Sequence, residues 1–253
     1  MTQDRELAAV VLAAGQGKRM AAPGPKVLVQ ACGRALVEHV LDALAPLRPS
    51  RTVVVHGHGG SSVQDALAGR DLAFAHQAEQ RGTGHAVQCA LPALDGFLGD
   101  VLVLCGDTPL LTTDVLRALV DDHRGTDRAL TVLSADLAEP GSLGRVLRDE
   151  RGDLRAIREV ADATPAEREV SEINTGVMVI GSGHLAGALQ RLTPDNAQGE
   201  YYLTDVPGLL LGDGLAVGVH LTAEAGAALG VNNPQELAEA VRLLEARGKG
   251  GGS

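Results

Sequence analysis

The chain reads as an α/β protein with a doubly wound sheet, and three features predict this. Apolar runs alternate with amphipathic stretches along its length, the pattern of strands joined by crossover helices. A glycine-rich loop, Leu12 to Met20, directly follows the first apolar run, and the carboxyl end of a strand is where such sheets bind ligands. The 253 residues are 45% hydrophobic, enough to bury a full core in one large domain.

Each element follows from its local pattern. Residues 8–13 form an unbroken apolar run and read as a buried strand. Further strands are expected at 52–56, 72–76, 101–105, 129–134, 175–180 and 215–221. Amphipathic spacing predicts helices over 34–45, 61–67, 83–91, 113–122, 183–191, 206–211 and 234–246. The segment at about 141–170 is charged and β-like, without helical periodicity, and reads as a lid or inserted β region. One domain is expected over 1–247, followed by a disordered glycine-rich tail over 248–253.

Composition narrows the function classes. A net charge of −10 and 2% aromatic content leave little for phosphate neutralisation or base stacking, so no nucleic-acid partner is expected. No apolar run reaches the roughly 18 residues a membrane span needs, so no membrane partner is expected either. The polar start, Met1 to Glu6, lacks a signal-peptide core and points to the cytoplasm. Cys32, Cys89 and Cys105 are widely spaced and fit reduced, mostly buried thiols rather than a zinc site.

An anionic substrate must therefore meet a local cationic site. The opening loop supplies one: Lys18, Arg19 and Lys26 lie close together, and the only other lysine is Lys249. Glycines there let backbone N–H groups approach a ligand, and donors plus cations suit a triphosphate. Leu12 stands where a Walker A loop needs glycine, and Met20 where a dinucleotide fingerprint needs its third glycine. Neither an ordinary ATPase nor a dehydrogenase is indicated.

Four further segments carry chemistry. In the run Gln77 to His85, glutamine amides could read a base edge, or the segment could be an ordinary strand-to-helix turn; His85 itself reads as a helix-packing residue. Asp107 follows the apolar run 101–105 and could hold Mg²⁺ or cap a helix, a role for which Thr112 and Thr113 compete. Asn174, at the start of the strand at 175–180, could meet sugar hydroxyls. The run Asn196 to Asp205 holds both tyrosines of the chain and reads as an ordered site wall. Beyond it, Asn232 lies at a strand-to-helix junction, where helix capping is the competing role.

Taken in order, these segments resemble the uridylyltransferase domain of bacterial N-acetylglucosamine-1-phosphate uridylyltransferases, from about Ala8 to Glu245. The strings Gln77-Ala78-Glu79-Gln80…Gly82-Thr83-Gly84-His85-Ala86 and Asn196-Ala197-Gln198-Gly199-Glu200-Tyr201-Tyr202-Leu203-Thr204-Asp205 carry the likeness most specifically. The resemblance implies a Rossmann-like mixed sheet of the nucleotidyltransferase type, with an inserted β lid. It implies Mg²⁺ as cofactor, and UTP and N-acetylglucosamine 1-phosphate as substrates, giving UDP-N-acetylglucosamine and pyrophosphate. By matching position, Leu12, Ala13, Ala14 and Gly15 line the nucleotide, and Gln77, Gly82 and Thr83 face the uracil. Gly106 joins the substrate-binding set. Arg19 and Lys26 are the catalytic cations near the phosphates, and Asp107 and Asn232 are the metal ligands. Gly144, Glu159 and Asn174 contact the sugar.

The departures fall on the sugar side. The family's Gly-Tyr-Gly-Arg is Ser142-Leu143-Gly144-Arg145 here, its Glu-x-Lys-Asp-Ala is Glu159-Val160-Ala161-Asp162-Ala163, and a tyrosine often found before Gly-Asp is Cys105. Arg145 and Arg158 are the nearest candidates to replace the missing lysine. The family's C-terminal left-handed β-helix, which acetylates and builds trimers, is absent from this sequence, so neither acetyl transfer nor the trimer is expected.

Overall fold

The computed structural model describes residues 5–15, 17, 20 and 24–250. Strand β1 (Glu6–Ala13) opens the fold and is followed by a small hairpin, β2 (Gln30–Ala31) and β3 (Arg34–Ala35). Then come α1 (Leu36–Leu44), β4 (Arg51–His56), α2 (Gly60–Ala66), β5 (Ala73–His76), α3 (Thr83–Ala90), β6 (Gly99–Cys105) and α4 (Thr113–Gly125). The second half contributes β7 (Leu130–Asp136), β8 (Arg145–Arg148), β9 (Leu154–Arg158), α5 (Pro165–Arg168), β10 (Glu172–Gly181), α6 (Ser182–Gln190), α7 (Val206–Gly212), β11 (Val217–Leu221) and α8 (Pro234–Gly250).

The main sheet runs β11-β7-β10-β6-β1-β4-β5, with β8 and β9 added beside β10. Alternation along β1 divides the core: Ala8 and Val10 face the layer holding α3, α6 and α7, while Ala9, Val11 and Ala13 face α1, α2 and α4. Both layers are apolar, and this is why β1, β4 and β6 read as continuous hydrophobic runs rather than alternating ones. A third apolar cluster seats α8 on the hairpin through Ala31, Leu36, Val231 and Ala240. Among the described residues no helix is long and apolar enough to cross a membrane.

Register fixes the position of the site. β1 lies parallel to β4 and β6, pairing Leu12 with Cys105 and Ala13 with His56. The ends of the three strands therefore form one edge. β10 runs antiparallel to both β6 and β7, so its beginning, at Asn174, arrives at that same edge. An all-parallel alternation of strand and helix does not describe this half of the sheet. Between Asn174 and Met178 the β10–β7 register shifts. There Gly176 takes φ +79°, and its N–H donates to Asn174 Oδ1 at 3.1 Å.

Three local expectations differ from the structure. Residues 34 and 35 belong to the hairpin, not to the first helix; Cys32 (φ 51°) and Gly33 (φ 75°) form its two-residue turn. Cys32 is exposed at that turn, whereas a buried thiol was expected. The last helix continues to Gly250, past its expected end at 246 and into the segment expected to be a disordered tail. The charged middle segment forms the β8–β9 hairpin, joined to the sheet where Ile173 of β10 pairs with Arg145, and α5 is capped by the Thr164–Glu167 pair.

Candidate active site

A cleft of about 270 Å³ opens at the carboxyl edge of β1, β4 and β6. Leu12, Ala14, Gly15, Lys26, Gln77, Gly82, Thr83 and Asp107 all line it. Ala13 does not: strand alternation turns its side chain into the opposite core layer. Gly106 packs behind, its N–H donating to Leu12 O at 2.9 Å, where an added Cβ would come within 3.0 Å of that oxygen. Arg19, like Lys18, lies outside the described residues.

At one end Lys26 is the central group. Its Nζ pairs closely with Asp107 and donates to Asn232 Oδ1 at 2.9 Å. Asn232 reaches this place because Val231 N–H donates to Asp107 O at 2.9 Å, drawing the loop before α8 against the end of β6. The capping alternatives are resolved by neighbours. Thr112 caps α4, accepting from Val115 N–H at 3.3 Å. Asn233 caps α8, accepting from Glu236 N–H at 2.9 Å. Asp107 and Asn232 are thus left with their oxygens on one cationic atom.

A carboxylate and an amide oxygen converging on one positive centre are the hard donors that Mg²⁺ takes, and Mg²⁺ keeps waters and phosphates for its other positions. The donor set fits that ion. Among the described residues no cluster of three or more His, Cys, Asp or Glu has metal-holding geometry.

The other end is the turn into α3. Gly82 takes φ +105°, and a Cβ there would lie 2.6 Å from the Tyr201 carbonyl oxygen. The wall holding Tyr201 docks on this turn: Tyr201 N–H donates to Arg81 O at 2.8 Å and Gly84 N–H donates to Tyr201 O at 2.8 Å. Thr83 Oγ1 accepts from Leu203 N–H at 3.1 Å, so its hydroxyl also anchors the wall. The Arg81 guanidinium lies 4.8 Å over the Tyr201 ring.

Gly144, Glu159 and Asn174 form a separate group beside the cleft. Asn174 N–H donates to Gly144 O at 2.8 Å, and a Cβ on Gly144 would meet the Glu159 carboxylate at 3.4 Å. Thr204 donates to Glu159 Oε1 at 2.9 Å. Burial raises the Glu159 carboxyl above the usual range, against the pull of the Thr204 bond, and the nearby Asp205, Asp162 and Glu200 carboxylates push it further. Glu200 also lines the cleft, so the two groups adjoin.

Arg145 does not stand in for the missing lysine. It is buried and donates to the carbonyls of Gly141, Leu143 and Arg168, bracing the hairpin. Arg158 is exposed and lies nearest Glu167.

Gln80, Cys105 and Glu200 also line the cleft; Gln80 and Glu200 lie in segments the sequence singled out, though neither was expected there as a substrate contact. Gln80 donates to the Ala14 carbonyl, a contact across 66 residues that no local pattern reveals. Burial pushes the Cys105 thiol up to about 12, with Asp107 adding to the rise, so it is no nucleophile. A larger groove of about 580 Å³ lies between the β8–β9 hairpin and α5, where Arg148 and Glu172 neutralise each other.

Residues 9–204 match the MobA-like NTP transferase domain. The chain is 46% identical to the bifunctional protein GlmU of Thermobifida fusca, over 98% of this chain and 52% of that protein. It is also 46% identical to the bifunctional protein GlmU of Pseudomonas aeruginosa, over 92% and 50%. The chain thus spans about half the length of these curated relatives. A putative glucose-1-phosphate thymidylyltransferase of Bacillus anthracis, solved in complex with a sucrose, shares the fold with a TM-score of 0.76 at 20% identity, over 94% of each chain. The chain belongs to the MobA-like NTP transferase family and is a nucleotidyltransferase related to the GlmU proteins.

Proposed function

We propose that this domain transfers a uridylyl group from UTP to N-acetylglucosamine 1-phosphate, giving UDP-N-acetylglucosamine and pyrophosphate. The observation that carries the reading is one cleft with two unlike ends. The Gln77–Thr83 turn suits a base at one end, and Lys26 with Asp107 suits phosphates at the other. Gly144, Glu159 and Asn174 adjoin as a place for the sugar, and the GlmU relatives point the same way.

The sugar 1-phosphate oxygen attacks the α-phosphorus in line and pyrophosphate leaves. That oxygen is already ionised near neutral pH, so the protein's work is positioning and charge neutralisation. Lys26 sits where charge grows on the transferring and departing phosphates. Arg19, expected from the sequence to join it, is placed by that expectation alone. Asp107 and Asn232 would hold Mg²⁺, which when bound offsets the repulsion between the two phosphates.

The test is pyrophosphate release from UTP and Mg²⁺ with a panel of sugar 1-phosphates. Preference for N-acetylglucosamine 1-phosphate is expected. Preference for another sugar would support the second reading, which Ala161 and the buried Arg145 favour, and silence across the panel would sink both. Asp107→Asn should move the Mg²⁺ requirement to higher concentration; an unchanged titration would refute the metal role.

A further inference from the structure

The Gln77 amide can face only one way. Its Nε2 lies 3.0 Å from the Gly82 carbonyl, which can only accept, so the nitrogen and not the oxygen must be there. The same Nε2 lies 3.1 Å from Nδ1 of His85. Its two hydrogens are then both used, one on Gly82 and one on His85. His85 must accept at Nδ1 and carry its own proton on Nε2, which points at the Cys89 sulfur 3.9 Å away. What remains is Gln77 Oε1, an acceptor that takes no hydrogen bond from the described residues, on a side chain lining the cleft. The Gly82 N–H beside it also has no acceptor among the described residues.

We propose that His85 is a positioning residue for base selection: it holds the Gln77 amide so that its carbonyl oxygen faces the bound base, which admits uracil and turns cytosine away. This rests on the uridylyl reading. Uracil presents N3–H between two carbonyl oxygens, matching an acceptor on Gln77 and a donor on Gly82. Cytosine presents an unprotonated N3, setting lone pair against lone pair. A flipped amide would set its oxygen against both the Gly82 carbonyl and the His85 Nδ1 lone pair, so losing the His85 acceptor removes half of what opposes the flip that would read cytosine. His85 is absent from the cleft lining and acts through Gln77.

The experiment compares kcat/KM for UTP and CTP in the unaltered protein, His85→Leu and His85→Asn. Leucine removes the acceptor; asparagine restores an oxygen near the Nδ1 position. His85→Leu should cut the UTP-over-CTP ratio about tenfold, the worth of one such hydrogen bond, through a raised KM for UTP with kcat retained. His85→Asn should recover most of the ratio. A ratio unmoved in His85→Leu, or equal losses in both variants, would overturn the positioning role. A two-bond ¹H–¹⁵N spectrum of the unaltered protein gives an answer that needs no variant to fold. A neutral ring protonated at Nε2 is expected, and a proton on Nδ1 overturns the proposal. A protein that prefers CTP would overturn the uridylyl reading and the base selection together, whereas one that prefers UTP with a ratio unmoved in His85→Leu would overturn the positioning role alone.

Discussion

Lys26 is the only cation among the described residues lining the cleft, and its charge is held by two partners, Asp107 and Asn232. With Asp107 and Asn232 turned to Mg²⁺, its ammonium would be free to offset the charge growing on the phosphates. Lys26→Ala is expected to lower kcat about a hundredfold, with a much smaller loss of thermal stability. Equal losses of folded protein and of activity would remove the catalytic role. Glu159 behaves oppositely to a paired carboxylate. Burial raises its native value above the unfolded one, so the native state keeps a proton that the unfolded chain has released. The ionised form therefore costs stability above the native value, and the cost disappears below the unfolded one. Glu159→Gln should melt no lower than the unaltered protein at neutral pH, and the two should converge as the pH falls. A raised KM for the sugar phosphate should accompany it. A variant that melts far lower at neutral pH would contradict this account of the site.

The turn from β5 into α3 carries more structure than its length suggests. It lines the cleft at Gly82, fixes the Gln77 amide, and receives the wall around Tyr201. Gly82→Ala puts a Cβ onto the Tyr201 carbonyl and forces φ +105° on an L side chain. A cost of about 2 kcal/mol or more is expected, read as a lowered urea midpoint, together with weaker UTP binding. β10 shows what a strand pattern conceals. Its apolar run reads equally well in either direction, because alternation carries no sense of polarity. The β2–β3 turn is hidden for a different reason, since Cys32-Gly33 is not one of the usual asparagine- or aspartate-glycine turn pairs. The β8–β9 hairpin was visible as a charged, β-like region without helical period, but not as two separate strands.

At the edge away from the cleft, β1, β6 and α4 are tied by Asp100, a fully buried carboxylate at the start of β6. It accepts from Arg124 Nε at 2.8 Å, with Arg5 and His123 each at 3.6 Å. Burial alone would raise its value, but His123 and Arg124 outweigh this and hold it below the usual carboxylate range. The stability it contributes is present above the unfolded value and lost as pH falls through the depressed native one. Asp100→Asn should cost about 3 kcal/mol at neutral pH, and the penalty should shrink in acid. A variant as stable as the unaltered protein at pH 7 would show that the cluster does not hold the sheet edge.

Among the described residues, seven of the eleven strands and the seven longer helices were legible from the chain because strand and helix periods are written in neighbouring residues. The opening loop, Lys26 and Asp107 were legible for a like reason: a cation-rich glycine loop and an acid at a strand end are local signals. Folding alone settled which groups meet. Lys26 finds Asn232 across 206 residues, Gln80 finds Ala14 across 66, and an antiparallel β10 delivers Asn174 to the same edge. Such meetings depend on how the layers pack around a shared sheet, and on the loop closures that packing repays. No window of sequence contains that information.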